Sequence, residues 1–89
     1  MISKDFTINN ELGLHARPSA QLTQIAGRYR SEVFIAKNGR RVNAKSIMGV
    51  MMLAAGQGSV LTVEADGDDA AEVVDAIGQL IETRFGEHE

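Results

Sequence analysis

The stretch GLHARPSA, Gly13 to Ala20, sets a nucleophilic, titratable imidazole between a glycine turn and an apolar helical stripe. That stripe, Leu22, Ile25, Ala26 and Tyr29, recurs at i, i+3, i+4, i+7, so His15 falls at a helix entrance. Pro18 suits the first turn, where a missing N–H costs nothing. Free N–H groups and the positive end of the helix dipole favour bound anions there. The same field disfavours an imidazolium and keeps such a ring neutral and nucleophilic. Arg17 adds a guanidinium able to pair with phosphate oxygens. Together these residues suit reversible phosphoryl transfer through histidine. The competing reading makes His15 a structural cap. No carboxylate–water pair or Ser-His-Asp order supports hydrolysis. His88, in the tail GEHE, reads as a disordered terminal residue.

Two other patterns imitate sites. GRRVNAKS, from Gly39 to Ser46, is one residue from a phosphate-binding loop, but Ala44 stands where a second glycine is needed. The acidic DGDD beginning at Asp66 suggests calcium, yet an EF-hand started there needs glycine at Ala71 and glutamate at Ile77. It reads as a turn and a helix cap. Neither a metal site nor a cofactor is expected.

Positioning these groups falls to an alternation of short elements. ISKDFTI, Ile2 to Ile8, reads as a strand that NNELG interrupts. SEVFIAK and RRVNA flank Asn38-Gly39, a strong hairpin pattern. Lys45 to Gly56 reads as a short helix with Ser46 as N-cap and a closing glycine cap. Its stripe is Ile47, Val50, Met51 and Ala54, but Met48, Met52 and Leu53 cover much of the remaining circumference. Either the fold encloses this helix or part of it is an apolar patch for a partner. SVLTVEA is a further strand. A last helix starts at Asp69 with Glu72 as a capping-box-like partner and carries Val74, Ile77, Ile81 and Phe85. The order β-α-β-β-α-β-α predicts a mainly antiparallel sheet with helices on one face.

Eighty-nine residues suit a single domain, 1–89, too small for a large enclosed active site. Nine basic and twelve acidic side chains give a formal net charge of −3, so nothing draws the chain globally to nucleic acid or anionic membrane. Four aromatic residues and no RNP-like strand also argue against a nucleic-acid module. No cysteine is present, which rules out disulfides and thiolate metal ligands. The opening segment lacks a signal-peptide stretch, and no run approaches the roughly 18 apolar residues that span a bilayer. A cytoplasmic protein without membrane insertion is expected.

GLHARPSA together with KSIMGVMMLAAGQGS, Lys45 to Ser59, resembles the HPr family, the histidine-containing phosphocarriers of the bacterial phosphotransferase system. The resemblance covers essentially the whole chain. It implies an α+β open-faced β-sandwich, four antiparallel strands with three helices on one face. It implies a carrier rather than an enzyme, in which His15 accepts phosphate on Nδ1 from phosphorylated enzyme I and passes it to a IIA domain. Arg17 would steady the phosphoryl group, with Ala16 and Pro18 supporting the helix start. Ser46 falls at the family's regulatory site, phosphorylated in some bacteria by HPr kinase/phosphorylase. Ala20, Gln21, Lys45, Ile47, Met48 and Met51 would form the partner interface of a monomer. Ser19 stands where alanine is common and Gly49 where some members carry lysine, which leaves Lys45 and Arg17 to supply a basic rim. The nitrogen-branch paralogue NPr shares the architecture. A non-catalytic α+β binding module with a structural His15 is the reading from a different class.

Overall fold

A computed structural model describes residues 1–87; His88 lies outside them. The chain forms β1 (Ile2–Thr7), α1 (Ala16–Gly27), β2 (Glu32–Lys37), β3 (Arg40–Asn43), α2 (Ile47–Met52), β4 (Val60–Asp66) and α3 (Ala70–Glu82). The four strands pair antiparallel in the order β1-β4-β2-β3. This is the expected open-faced architecture.

Period-two alternation separates the faces of the sheet. Val33 and Ile35 of β2 and Leu61, Val63 and Ala65 of β4 are buried against the helices. Their neighbours Phe34, Thr62 and Glu64 lie on the opposite face, where the Arg41 Nε donates to Glu64 at 2.8 Å and its guanidinium stacks 3.7 Å from the Phe34 ring centroid. The hairpin turns where expected, with Asn38 at φ 52° and Gly39 at φ 81°, a pair that matches the twist of the flanking strands.

α3 lies over β1 and β4, and α1 packs on both other helices. Val73, Val74, Ile77 and Ile81 form its buried stripe. Gly78 lets the Phe6 ring approach so closely that a Cβ there would sit 2.4 Å from ring carbons. The predicted stripe extends to Phe85, but the helix stops at Glu82. Arg84, Phe85 and Gly86 then adopt φ values of 58°, 56° and 75°, a left-handed turn. Phe85 is still buried, reached by this turn rather than by a fourth helical repeat. Each non-glycine residue in that conformation costs about 1–2 kcal/mol. Full burial of an aromatic ring returns about 1.5–3 kcal/mol.

Two caps differ from expectation. α2 ends at Met52, and the left-handed residue beyond it is Ala54, at φ 50°, not the expected glycine at Gly56. The bend buries both Leu53 and Ala55 in the core. Lys37 and Arg40 of the hairpin donate to the carbonyls of Leu53, Ala54 and Met52 that the short helix leaves open. Asp69 occupies the N-cap position of α3, but its side chain makes no capping bond there. Its carboxylate instead accepts from the backbone N–H groups of Arg30 and Ser31, each at 2.9 Å, and from the Ser31 hydroxyl. The turn between α1 and β2 is thus fastened to the start of α3.

These donors, led by the Ser31 hydroxyl and the Arg30 N–H, hold Asp69 below its ordinary carboxylate range despite desolvation. A carboxylate lowered on folding stabilises the native state above its ordinary titration, near about pH 4, and that stabilisation is lost as pH falls through the lower native value. Asp69→Ala is therefore expected to melt below wild type at neutral pH, with the difference shrinking on acidification below about pH 4. Thermal melts across pH check this. A gap that persists unchanged to the lowest pH at which both fold contradicts it.

Candidate functional site

The loop after β1 is pinned before it reaches His15. Ile8 exchanges backbone bonds with Ser59 and Gly58, each at 2.8 Å. A turn then closes through Gly13 N to Asn10 O at 3.2 Å, and the buried Asn10 side chain donates to the Gly13 carbonyl at 2.9 Å. Gly13 has φ +66° and sits where a Cβ would be 2.3 Å from the Ala55 carbonyl oxygen. Only a glycine fits, for both reasons. That close approach lets Leu14 N donate to Ala55 O at 2.8 Å and joins the loop to the segment after α2.

His15 follows as the N-cap of α1, in extended conformation at φ −77°, ψ −171°. Its carbonyl accepts from Ser19 N at 3.0 Å, while its side chain makes no capping bond. The buried Ser19 hydroxyl donates to Leu14 O at 3.1 Å, tying the helix back onto the loop. The imidazole is therefore spared for other work. Its Nε2 lies 2.9 Å from Oε2 of Glu87, brought there by the left-handed turn after α3. The His15 side chain is 36% exposed and that of Glu87 15%, so the imidazole is reachable while its partner is mostly covered. Burial raises the Glu87 pKa, but the Asn10 bond at 3.1 Å to Oε1, the His15 bond, and the charges of His15 and Arg17 together hold it below the ordinary range.

Of the remaining predicted residues, Ala16 and Arg17 are exposed at the start of α1, Pro18 is buried in its first turn, and Ala20 and Gln21 are half-buried along it. Ser46 is the N-cap of α2, and its hydroxyl accepts from Gly49 N at 3.1 Å. Lys45 is exposed, and its ammonium donates to the Tyr29 carbonyl at 3.0 Å. The stripe read for α2 is corrected. Val50 and Leu53 face the core, whereas Ile47, Met48, Met51 and Met52 are 43%, 70%, 39% and 55% exposed. A helix of six residues beside an open sheet has room to bury only one narrow edge.

Sequence reasoning missed Asn10 and Glu87 and gave Ser19 no task. NNELG signals a turn but not which asparagine turns inward, and 72 positions separate Glu87 from His15. The groove between β1 and α3, lined by Lys4, Phe6, Asp75, Gly78, Gln79 and Glu82, contains none of the predicted site residues. Among the described residues, no group of three or more His, Cys, Asp and Glu side chains is placed to hold a metal ion, and no helix is long and apolar enough to cross a membrane.

An open sheet backed by three helices, with an imidazole exposed at a helix start, defines a small α+β group carrier. The family model described as "PTS HPr component phosphorylation site" matches residues 2–83. The phosphocarrier protein HPr of Cupriavidus necator is 61% identical over the full length of both chains. The crystal structure of HPr-C-His from Thermoanaerobacter tengcongensis superposes with a TM-score of 0.96 at 44% identity, covering 100% of each chain. A structure described as the HPr dimer of that organism has a TM-score of 0.79 at 45% identity, covering 98% of this chain and 100% of the other. The chain belongs to the HPr family of the phosphotransferase system, and as such is a phosphocarrier rather than a catalytic enzyme.

The two sides of α2 differ in what they tolerate. Met48→Glu is expected to change stability by no more than about 0.5 kcal/mol, as for other surface positions. Val50→Glu buries a charge without a partner and should cost several-fold more, to the point of unfolding. Urea midpoints decide. A large loss in Met48→Glu would place that methionine in the core.

Proposed function

We propose that His15 is the sole phosphoryl acceptor of this carrier, taking the group on Nδ1 from phosphorylated enzyme I and passing it to a IIA domain. The observation that carries the reading is the N-cap position of His15 with its side chain unspent on capping. At a helix start an oxyanion meets free backbone N–H groups and the positive dipole end. With Pro18 lacking an N–H and Ser19 N engaged by the His15 carbonyl, the N–H groups of Ala16 and Arg17 are the first-turn donors left for an oxyanion. Arg17 also offers an exposed guanidinium for the transferred group. No general base need activate a water, since the imidazole itself is the nucleophile toward another protein's phosphoryl group. Geometry is completed in each transient complex.

The exposed side of α2 supports a docking role for Ile47, Met48 and Met51, extended by Ala20 and Gln21 on α1 and by Lys45. Methionine side chains adapt to more than one surface, which suits a carrier that meets a donor and an acceptor in turn. We assign the chain to the sugar branch, as a cytoplasmic monomer of one domain, with the nitrogen branch as the alternative. Ser46 is the proposed regulatory phosphorylation site for an HPr kinase/phosphorylase.

Incubation with enzyme I and phosphoenolpyruvate should add one acid-labile phosphate to the wild-type chain, read by intact mass. His15→Ala should fold normally and gain nothing. An unchanged mass gain in that variant would sink the assignment. Arg17→Ala should lose a charge-assisted contact to phosphate worth about 1.5–3 kcal/mol, seen as slower single-turnover transfer.

Charge at Ser46 should act oppositely on folding and on docking. A carboxylate at this N-cap faces open N–H groups, which favours the helix by about 0.3–1 kcal/mol. Next to Ile47 it must be desolvated by any partner that covers the apolar side. Ser46→Asp is expected to keep or slightly raise the melting temperature while weakening enzyme I binding and slowing phosphorylation of His15. Equal affinity for enzyme I in a titration of the two proteins would separate Ser46 from the docking surface.

A further inference from the structure

A lone imidazole at a helix start does not need a buried amide and a covered carboxylate behind it. Yet Asn10 is fully buried, spends its amide on both the Gly13 carbonyl and Glu87 Oε1, and leaves its own Oδ1 without a partner among the described residues. Glu87 in turn reaches His15 only because Arg84, Phe85 and Gly86 reverse the chain in the left-handed region. Two strained residues and an unsatisfied oxygen are concentrated on the delivery of one carboxylate to one ring nitrogen. Strain of this kind persists where surrounding packing enforces it, here through the buried Phe85.

We propose that Glu87 is a positioning residue that selects Nδ1 as the reacting atom of His15 by accepting a hydrogen bond from the Nε2–H. The proposal deepens the phosphocarrier reading above and rests on it. An ionised carboxylate has no proton to donate, so in a 2.9 Å bond to Nε2 that nitrogen carries the N–H, and whenever the ring is neutral its lone pair is then on Nδ1. Among the described residues, the groups that act on Glu87 are the Asn10 amide, the His15 ring and the Arg17 charge, all of which favour its ionised form. Asn10 grips the other carboxylate oxygen and so fixes the plane in which the ring is held.

The same bond suits transfer in both directions. When the Nδ1 lone pair forms the N–P bond, the bond from phosphorus to the phosphoprotein donor breaks and its electron pair stays with the donor. The ring acquires positive charge, which Glu87 faces directly, and the Nε2 proton does not move. In onward transfer the N–P bond breaks, its electron pair returns to Nδ1, and the ring leaves in the neutral form in which it began. No proton enters or leaves on either step.

The test measures tautomer and transfer separately. The nitrogen spectrum of 15N-labelled His15, recorded where the ring is neutral, should show the Nε2–H form in wild type and an added Nδ1–H population in Glu87→Ala. Single-turnover phosphorylation by phosphorylated enzyme I should slow about three- to tenfold in Glu87→Ala, the loss expected when a reacting group is less well oriented. Glu87→Gln keeps the size of the side chain and an acceptor oxygen without the charge, so it should fall between the two on both readouts. It also replaces Glu87→Ala if that variant melts early. A wild-type tautomer spectrum in both variants overturns the proposal, whether or not the rate falls. Failure of wild type to gain phosphate on His15 would instead overturn the carrier reading, and the spectrum would still decide what Glu87 does to the ring.

Discussion

The structure depends on one close approach of backbone to backbone, Gly13 against Ala55. With a Cβ at position 13 only 2.3 Å from the Ala55 oxygen, these segments meet solely because the side chain is missing. The contact fixes Leu14 through its N–H and thereby sets where α1 starts. It also determines which way the segment after α2 must run, since Leu53 and Ala55 are buried on either side of the exposed Ala54. The helix start that presents His15 and the short helix that presents Met48 are therefore parts of one arrangement. Neither can shift without the other.

Backbone strain lies at the edges of that arrangement. Ala54, Arg84 and Phe85 all hold positive φ without being glycine. Ala54 and Phe85 are each braced by something specific. Lys37 donates to the carbonyls of Leu53 and Ala54, one on each side of the Ala54 Cα, and Phe85 has its ring in the core. The left-handed turn at the end of α3 brings Glu87 to His15 where a continued helix would carry the chain past it. Rigidity at an exposed imidazole is thus drawn from buried contacts well away from it.

Much of this was legible because the signals are local. Asn38-Gly39 demands a hairpin through the φ values its residues tolerate, Ser46 caps α2 through a hydroxyl three residues from its donor, and His15 is flanked by the glycine and proline that bracket a helix start. What escaped is what depends on meetings between distant segments. Asp69 has the residue type of an N-cap, but three donors from the turn before β2 outcompete the N–H groups of its own helix. Gly56 is the residue type of a C-cap, yet the register that buries Leu53 and Ala55 puts the left-handed residue at Ala54. Periodicity extends α3 to Phe85 because a buried phenylalanine fits the stripe, and burial alone does not distinguish a helix from a turn that reaches the same core.

For a protein that must release a group as readily as it takes one, the balance of these features matters more than the strength of any of them. A deep pocket would hold a phosphoryl group through many charge-assisted bonds and slow its departure. Here the ring stands at the surface beside a largely covered carboxylate, and the proposed anion site would offer an oxyanion open backbone N–H groups and the Arg17 guanidinium. The anion-binding side would favour the loaded carrier through phosphate charge, and the carboxylate through the positive charge the ring then carries. Neither side involves a proton transfer that would make one direction slower than the other. On this reading the small sheet-and-helix frame supplies what a freely exposed histidine lacks, a fixed ring in a fixed tautomer, and leaves everything else to the partner in contact at the moment of transfer.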